Sequence, residues 1–195
     1  MDIKPIETFY NGYHFRSRLE ARWAVFFDAI GQKYEYEPQG YTLSDGTKYL
    51  PDFYLREVQG RGGRLTESGV INDIFIEIKG TLTDRDLQKI QQFSIKYPII
   101  IFGQIPDCRY SLWTDHKWYY DFDFSKDNNE NFYNLSFSEG DFYWTEPKAA
   151  KSGGLILDYP DNPYDDVDNA KTFDAYTKAK QARFEHGEMP IIRRW

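Results

Sequence analysis

The sequence predicts an α/β protein, and three observations carry that prediction. Leu19, Trp23, Phe26, Phe27 and Ile30 recur at a spacing of three to four, the apolar stripe of a helix laid against a core. From Asp73 to Lys79, Ile74, Ile76 and Ile78 alternate with Phe75, Glu77 and Lys79, the period-two pattern of a strand, and Gly80 follows it. Segments of both kinds then follow one another as helix, three strands, helix, strand. An aromatic, β-rich stretch and a last helix come after them.

The first helix is expected over Phe15 to Ile30, with Arg16, Arg18, Arg22 and Asp28 off the apolar stripe and Gly31 placed to end it. Lys33 to Pro38 sets Tyr34 and Tyr36 against Glu35 and Glu37, a strand pattern. Ser44-Asp45-Gly46 signals a turn, and Tyr49 to Leu55 reads as the second strand, with Tyr49, Pro51, Phe53 and Leu55 on one face. Glu57 to Asn72 holds four glycines with Arg61 and Arg64 and reads as a mobile surface loop. After the third strand, Thr83 to Lys96 reads as a helix capped by Thr83 with Asp86 three residues on. Pro98 to Gly103 is an apolar, buried strand.

Trp118, Tyr120, Phe122 and Phe124 alternate with Tyr119, Asp121 and Asp123, as in an exposed antiparallel strand. Tyr133, Leu135 and Phe137 suggest another, and Ser138 to Asp141 a turn before Phe142-Tyr143-Trp144. Asp158 to Asn169 is acidic loop, and Ala170 to His186 a final helix ended by Gly187. The expected organisation is a core over residues 1–105, an aromatic and acidic β-rich extension over 106–169, and a C-terminal helix over 170–195 that packs on the core.

Composition bounds the function. With 195 residues, 41% of them hydrophobic, the chain can bury a full core without staples. Its longest aliphatic run, Ile99-Ile100-Ile101-Phe102, is far short of the ~20 residues of a membrane span. The first residues lead into no hydrophobic stretch, so a cytoplasmic protein without membrane contact is expected. One cysteine, Cys108, excludes an internal disulfide framework and a multi-cysteine zinc site. The net charge of -7 argues against coating nucleic acid by bulk attraction. That charge is uneven. Residues 1–104 carry 13 Lys/Arg against 14 Asp/Glu, whereas 105–170 carry 5 against 14. The first half can therefore hold a locally basic groove.

Two acids in apolar strands carry the chemistry. Glu77 and Lys79 share a strand face about 7 Å apart. Asp52 lies between Leu50 and Tyr54, and a carboxylate there costs several kcal/mol unless a cation or donors meet it. An arginine salt bridge or turn amides would satisfy Asp52 alone. If the two strands are neighbours, however, Asp52 and Glu77 converge and ask for a divalent cation. Hard oxygen ligands select Mg²⁺ or Mn²⁺, and Lys79 beside them suits phosphodiester hydrolysis. Two readings stand at Glu20, at the border of the helix stripe: an i,i+4 ion pair with Arg16, or a carboxylate leaning over the metal site.

Phe15-Arg16-Ser17-Arg18-Leu19-Glu20-Ala21-Arg22-Trp23-Ala24, Tyr36-Glu37-Pro38, Tyr49-Leu50-Pro51-Asp52-Phe53 and Ile76-Glu77-Ile78-Lys79-Gly80 together resemble the motifs of the PD-(D/E)XK nuclease superfamily. The set is similar to that of small nuclease-like proteins of bacteriophages and prophages, and covers roughly residues 10–105. The resemblance implies a restriction-endonuclease-like core of helix, three strands, helix and strand. It implies Asp52, Glu77 and the main-chain carbonyl of Ile78 as Mg²⁺ ligands, Glu20 as the helix acid, and Lys79 as the residue that assists the attacking water. It also implies a Lys or Gln from the second helix, where Lys89, Gln91 and Gln92 are candidates.

The expected function is therefore Mg²⁺-dependent hydrolysis of DNA, in a phage or its bacterial host. Arg16, Arg18, Arg61, Arg64, Lys89 and Gln92 are candidate contacts to the nucleic acid. Two other classes compete: a non-catalytic nucleic-acid-binding protein on the same fold, and an interaction protein whose acidic 105–170 region mimics DNA toward a basic protein partner.

Overall fold

In the computed structural model the chain is described over residues 6–60, 70–105, 135–138, 141–144, 146–158 and 166–184. The described residues form a mixed α/β arrangement of three helices on one large mixed sheet, with two small hairpins. The first hairpin pairs β1 (Thr8–Tyr10) with β2 (Tyr13–Phe15) across Asn11-Gly12, whose φ values of 49° and 85° are those an Asn-Gly hairpin turn requires. Helix α1 (Arg18–Ile30) follows directly.

α1 begins three residues later than the periodicity predicts. Ser17 is its N-cap, accepting from the Glu20 N–H, and Phe15 belongs to β2 instead. The C-terminus is as expected: Gly31 takes φ 81° and donates to the Asp28 and Phe27 carbonyls. β3 (Tyr34–Tyr36) comes next, then a hairpin of β4 (Tyr41–Thr42) and β5 (Lys48–Tyr49) closed by Gly46 at φ 83°. β6 (Phe53–Gly60) and β7 (Val70–Ile78) form the antiparallel centre of the sheet. α2 (Asp84–Ser94) has the full reciprocal capping box of Thr83 and Asp86, and β8 (Ile99–Phe102) lies parallel to β7 with all four residues buried.

Two strand expectations need correcting. Tyr49 to Leu55 is not one strand: it breaks between β5 and β6 at Leu50-Pro51-Asp52. Pro51 has no N–H to continue a ladder, so pairing with β7 starts at Phe53 opposite Ile76. As a result Tyr49 does not share a face with Phe53 and Leu55. It packs with Phe75, Ile90 and Phe93, while the other two join the α1 core. Glu57 to Asn72 is likewise not a loop throughout, because its two ends are strand, in β6 and β7. Glu57 takes φ 57°, and beyond it Val58 joins Phe53 and Leu55 in the same core.

The second half of the chain extends the same sheet. β9 (Leu135–Ser138) pairs antiparallel with β8, and β10 (Asp141–Trp144) with β9. β11 (Glu146–Ala149) pairs with β12 (Leu155–Asp158), which lies parallel to the far end of β6 at Gln59 and Gly60. The order across the sheet is β10-β9-β8-β7-β6-β12-β11, with β3 also on β6, so position 105 is no boundary within it. Helix α3 (Asn169–Gln181) is shorter than predicted. Ala182 turns extended at ψ 117°, and Ala182 and Phe184 are buried; Gly187 lies outside the described residues. So does the predicted strand over Trp118 to Phe124.

Alternation along β7 and β8 divides the core. Ile74, Ile76, Ile78, Ile100 and Phe102 face α1 and α3, where Trp23 and Phe26 meet the ring of Tyr176. Phe75, Ile99 and Ile101 face α2 with Tyr49, Ile90 and Phe93. Trp23 Nε1 donates to the Gly103 carbonyl at 2.8 Å, fixing α1 to the end of β8. No helix among the described residues is long and apolar enough to cross a membrane.

Candidate functional site

Asp52, Glu77, Lys79 and Glu20 gather at the end of the sheet where β6 begins and β7 finishes. The register Phe53↔Ile76, continued by one residue, sets Asp52 opposite Glu77, and opposite residues of an antiparallel pair share a face. Both are buried, as is Glu20. Where Pro51 ends the ladder, the side chain of Asp52 takes over: its Oδ2 accepts from the Ile78 N–H at 2.7 Å. A proline opposite Ile78 also has no N–H to offer the Ile78 carbonyl.

Asp52 is held well above the usual carboxylate range. Burial is the largest cause, followed by the negative charges of Glu77 and Glu20; the Ile78 N–H and the Lys79 ammonium only partly offset them. Glu77 is held at both oxygens. Oε2 accepts from the Tyr49 hydroxyl at 2.7 Å, and Oε1 pairs with Lys79 Nζ at 2.8 Å. Lys79 Nζ also lies 3.8 Å from Asp86 Oδ1 of the α2 capping box. The Lys79 side chain is 26% exposed against 5% for Glu77, so the ammonium is the solvent side of the pair. Burial pulls the Lys79 pKa down, but Glu77, Asp52 and Asp86 outweigh it and raise it, so the side chain stays charged.

Glu20 departs from the ion-pair reading. Its Oε1 accepts from Ser17 Oγ at 2.7 Å; its Oε2 accepts from the Tyr36 hydroxyl at 2.6 Å and the Arg16 N–H at 3.1 Å. It therefore makes no i,i+4 ion pair with Arg16, whose guanidinium pairs with Glu37 instead. The carboxylate fastens the start of α1 to β3, near enough to Asp52 to raise its pKa. Tyr36 is pushed up, first by burial and then by its bond to Glu20, and remains a donor.

The nucleic-acid candidates divide. Arg16 stands beside this cluster, where Glu37, Tyr36, Asp52 and Glu20 together raise its pKa against the lowering effect of burial. Arg18 is the first residue of α1. Lys89 acts on Asp86, one turn away on α2, and so faces the Lys79 end of that helix. Gln92 does not reach the cluster. It donates to Asp45 Oδ2 and accepts from Ser44 Oγ, tying α2 to the β4–β5 turn, while Gln91 is exposed. Arg61 and Arg64 lie outside the described residues. Sequence reasoning missed Tyr49 and Tyr36, since a tyrosine in an aromatic-rich chain reads as core.

Asp52 and Glu77 supply hard oxygen donors, and Asp52 is raised chiefly by burial and then by the charges of Glu77 and Glu20. Among the described residues no three His, Cys, Asp or Glu side chains form a ready-made metal cage. The chain matches no protein-family model, no curated protein and no solved structure.

Proposed function

We propose that this protein is a Mg²⁺-dependent nuclease of the PD-(D/E)XK type that hydrolyses DNA phosphodiester bonds, with a restriction-endonuclease-like core built from α1, β3, β6, β7, α2 and β8. The observation that carries the reading is the meeting of Asp52, Glu77 and Lys79 at one sheet end, where β6 begins and β7 finishes.

Asp52 and Glu77 would hold the ion, with the Ile78 carbonyl beside them. When bound, Mg²⁺ would supply a polarised phosphate and a more acidic water. The chain's own residues do the rest. Lys79 presents a fixed ammonium on the solvent side of Glu77, where it can stabilise negative charge on the attacking oxygen or the phosphate. Glu37 and the α1 N-terminus keep Arg16 at the margin, available to a phosphate of the substrate. Glu20 keeps α1 docked and adds negative potential to Asp52, which strengthens the demand for a cation.

Within residues 105–170 the described strands divide: β9 lies two strands from Glu77, since Leu135 pairs with Ile101 and Ile101 with Glu77, whereas β12 is distant. β12 joins β6 at Gln59 and Gly60, seven and eight residues along from Asp52 and so roughly 20 Å or more away at the strand rise.

The test is cleavage of linear, circular, single-stranded and double-stranded DNA with Mg²⁺ or with chelator, paired with Mn²⁺ calorimetry. Glu77→Ala is expected to lose both metal binding and cleavage. Lys79→Ala is expected to keep metal binding and lose ~10²–10³ in rate. If the parent cleaves none of these substrates with Mg²⁺, or both variants match it, the nuclease reading fails.

A further inference from the structure

We propose that Tyr49 is a positioning residue, whose hydroxyl orients the Glu77 carboxylate to receive the divalent cation; the proposal rests on the metal-site reading above. Glu77 Oε2 lies 2.7 Å from the Tyr49 hydroxyl, and both residues are buried. A carboxylate on a flexible side chain can rotate about its terminal bonds. Here one oxygen is held by Tyr49 and the other by Lys79, so the carboxylate plane is set before any ligand arrives. Donors behind a metal-binding carboxylate orient it, and losing one typically costs 10–100-fold in metal affinity.

The way Tyr49 is held supports a positioning role. It ends β5, immediately before the break at Leu50-Pro51-Asp52 that frees the Asp52 side chain to bond the Ile78 N–H. Its ring packs on Phe93 of α2 at 5.0 Å between centroids, and Tyr41 of the same hairpin packs on Phe93 at the same distance. Gln92 of α2 bonds Ser44 and Asp45 at the hairpin turn. The hairpin is thus fastened to α2 at both its turn and its rings. The hydroxyl then reaches across to β7 from a rigid base. Gln92, a candidate for the chemistry itself, serves here as one of these fasteners.

The experiment compares the parent, Tyr49→Phe and Ile90→Val. Tyr49→Phe keeps the ring against Phe93 and removes only the hydroxyl. Ile90→Val disturbs the same apolar cluster without touching Glu77. Mn²⁺ affinity is read by calorimetry, and cleavage rate is followed as a function of Mn²⁺ concentration. Tyr49→Phe is expected to weaken Mn²⁺ binding 10–100-fold and raise the half-saturating Mn²⁺ concentration to match, with the rate at saturating metal within about threefold of the parent. Ile90→Val is expected to bind Mn²⁺ as the parent does. If Tyr49→Phe binds Mn²⁺ as tightly as a parent that does bind it, the positioning role is overturned and the metal site stands. The role is equally overturned if Ile90→Val weakens binding as much as Tyr49→Phe does. If the parent binds no Mn²⁺, the metal site itself is wrong and this role goes with it.

Discussion

Asp52 sits in an environment unlike that of a free side chain. Because its carboxyl is pushed above its usual range, the native protein keeps a proton that the unfolded chain releases near pH 4. Stability without metal is therefore expected to fall as pH rises from that point through the raised native pKa. Asp52→Asn can still accept from the Ile78 N–H but carries no charge to bury. In chelator it should melt higher than the parent at pH 7–8, by a few degrees or ~1 kcal/mol, with the gap closing toward pH 4. Thermal melts of both proteins across pH 4–8 measure this. A parent whose melting temperature does not fall over that range would contradict the crowded-acid description. The same substitution should abolish cleavage.

The start of α1 couples a helix cap to the candidate site. Ser17 caps the helix through the Glu20 N–H and donates to the Glu20 carboxylate, so one hydroxyl serves both roles. Ser17→Ala should cost about 1–2 kcal/mol, the usual loss for a cap whose partner is buried. Chemical denaturation with and without Mg²⁺ gives that difference. Cleavage should persist, because Asp52, Glu77 and Lys79 keep their own partners. The Thr83–Asp86 box of α2 was legible because capping acts over three residues, whereas the Ser17 cap was not read, since the apolar stripe placed the helix start at Phe15. The third partner of Glu20, the Tyr36 hydroxyl, comes from a separate strand and left no local mark.

At the level of the whole molecule, the two halves of the chain share one sheet and one core. Buried Gln32, just after α1, donates to the Arg56 carbonyl and accepts from the Leu155 N–H, linking α1, β6 and β12. Tyr176 of α3 packs flat on Phe26 and donates to the Pro147 carbonyl. A fragment of residues 1–105 would retain every residue of the motif set yet bare Phe26, the β8 edge and the far end of β6. Each large side chain so uncovered forfeits up to ~1.5–3 kcal/mol. The fragment is expected to lack a cooperative melt and to bind a hydrophobic dye, whereas a sharp transition like that of the full chain would show that the core stands alone.

The features that could be read from residues alone are those with a short range. The apolar stripe of α1, its Gly31 terminator, the alternation of β7 and the sorting of Ile76 and Ile78 from Glu77 all repeat within two to four positions, so the local pattern suffices. Asp52 and Glu77 could be nominated because an acid amid apolar neighbours is costly wherever it sits. Their juxtaposition, the break at Pro51 that turns Tyr49 toward α2, and the hydrogen bond from Tyr49 to Glu77 depend on pairing across 25 residues or more. The entry of β12 beside β6 spans nearly a hundred. Such pairings follow from competition among all the chain's strands for partners and cover, which no single stretch of sequence encodes.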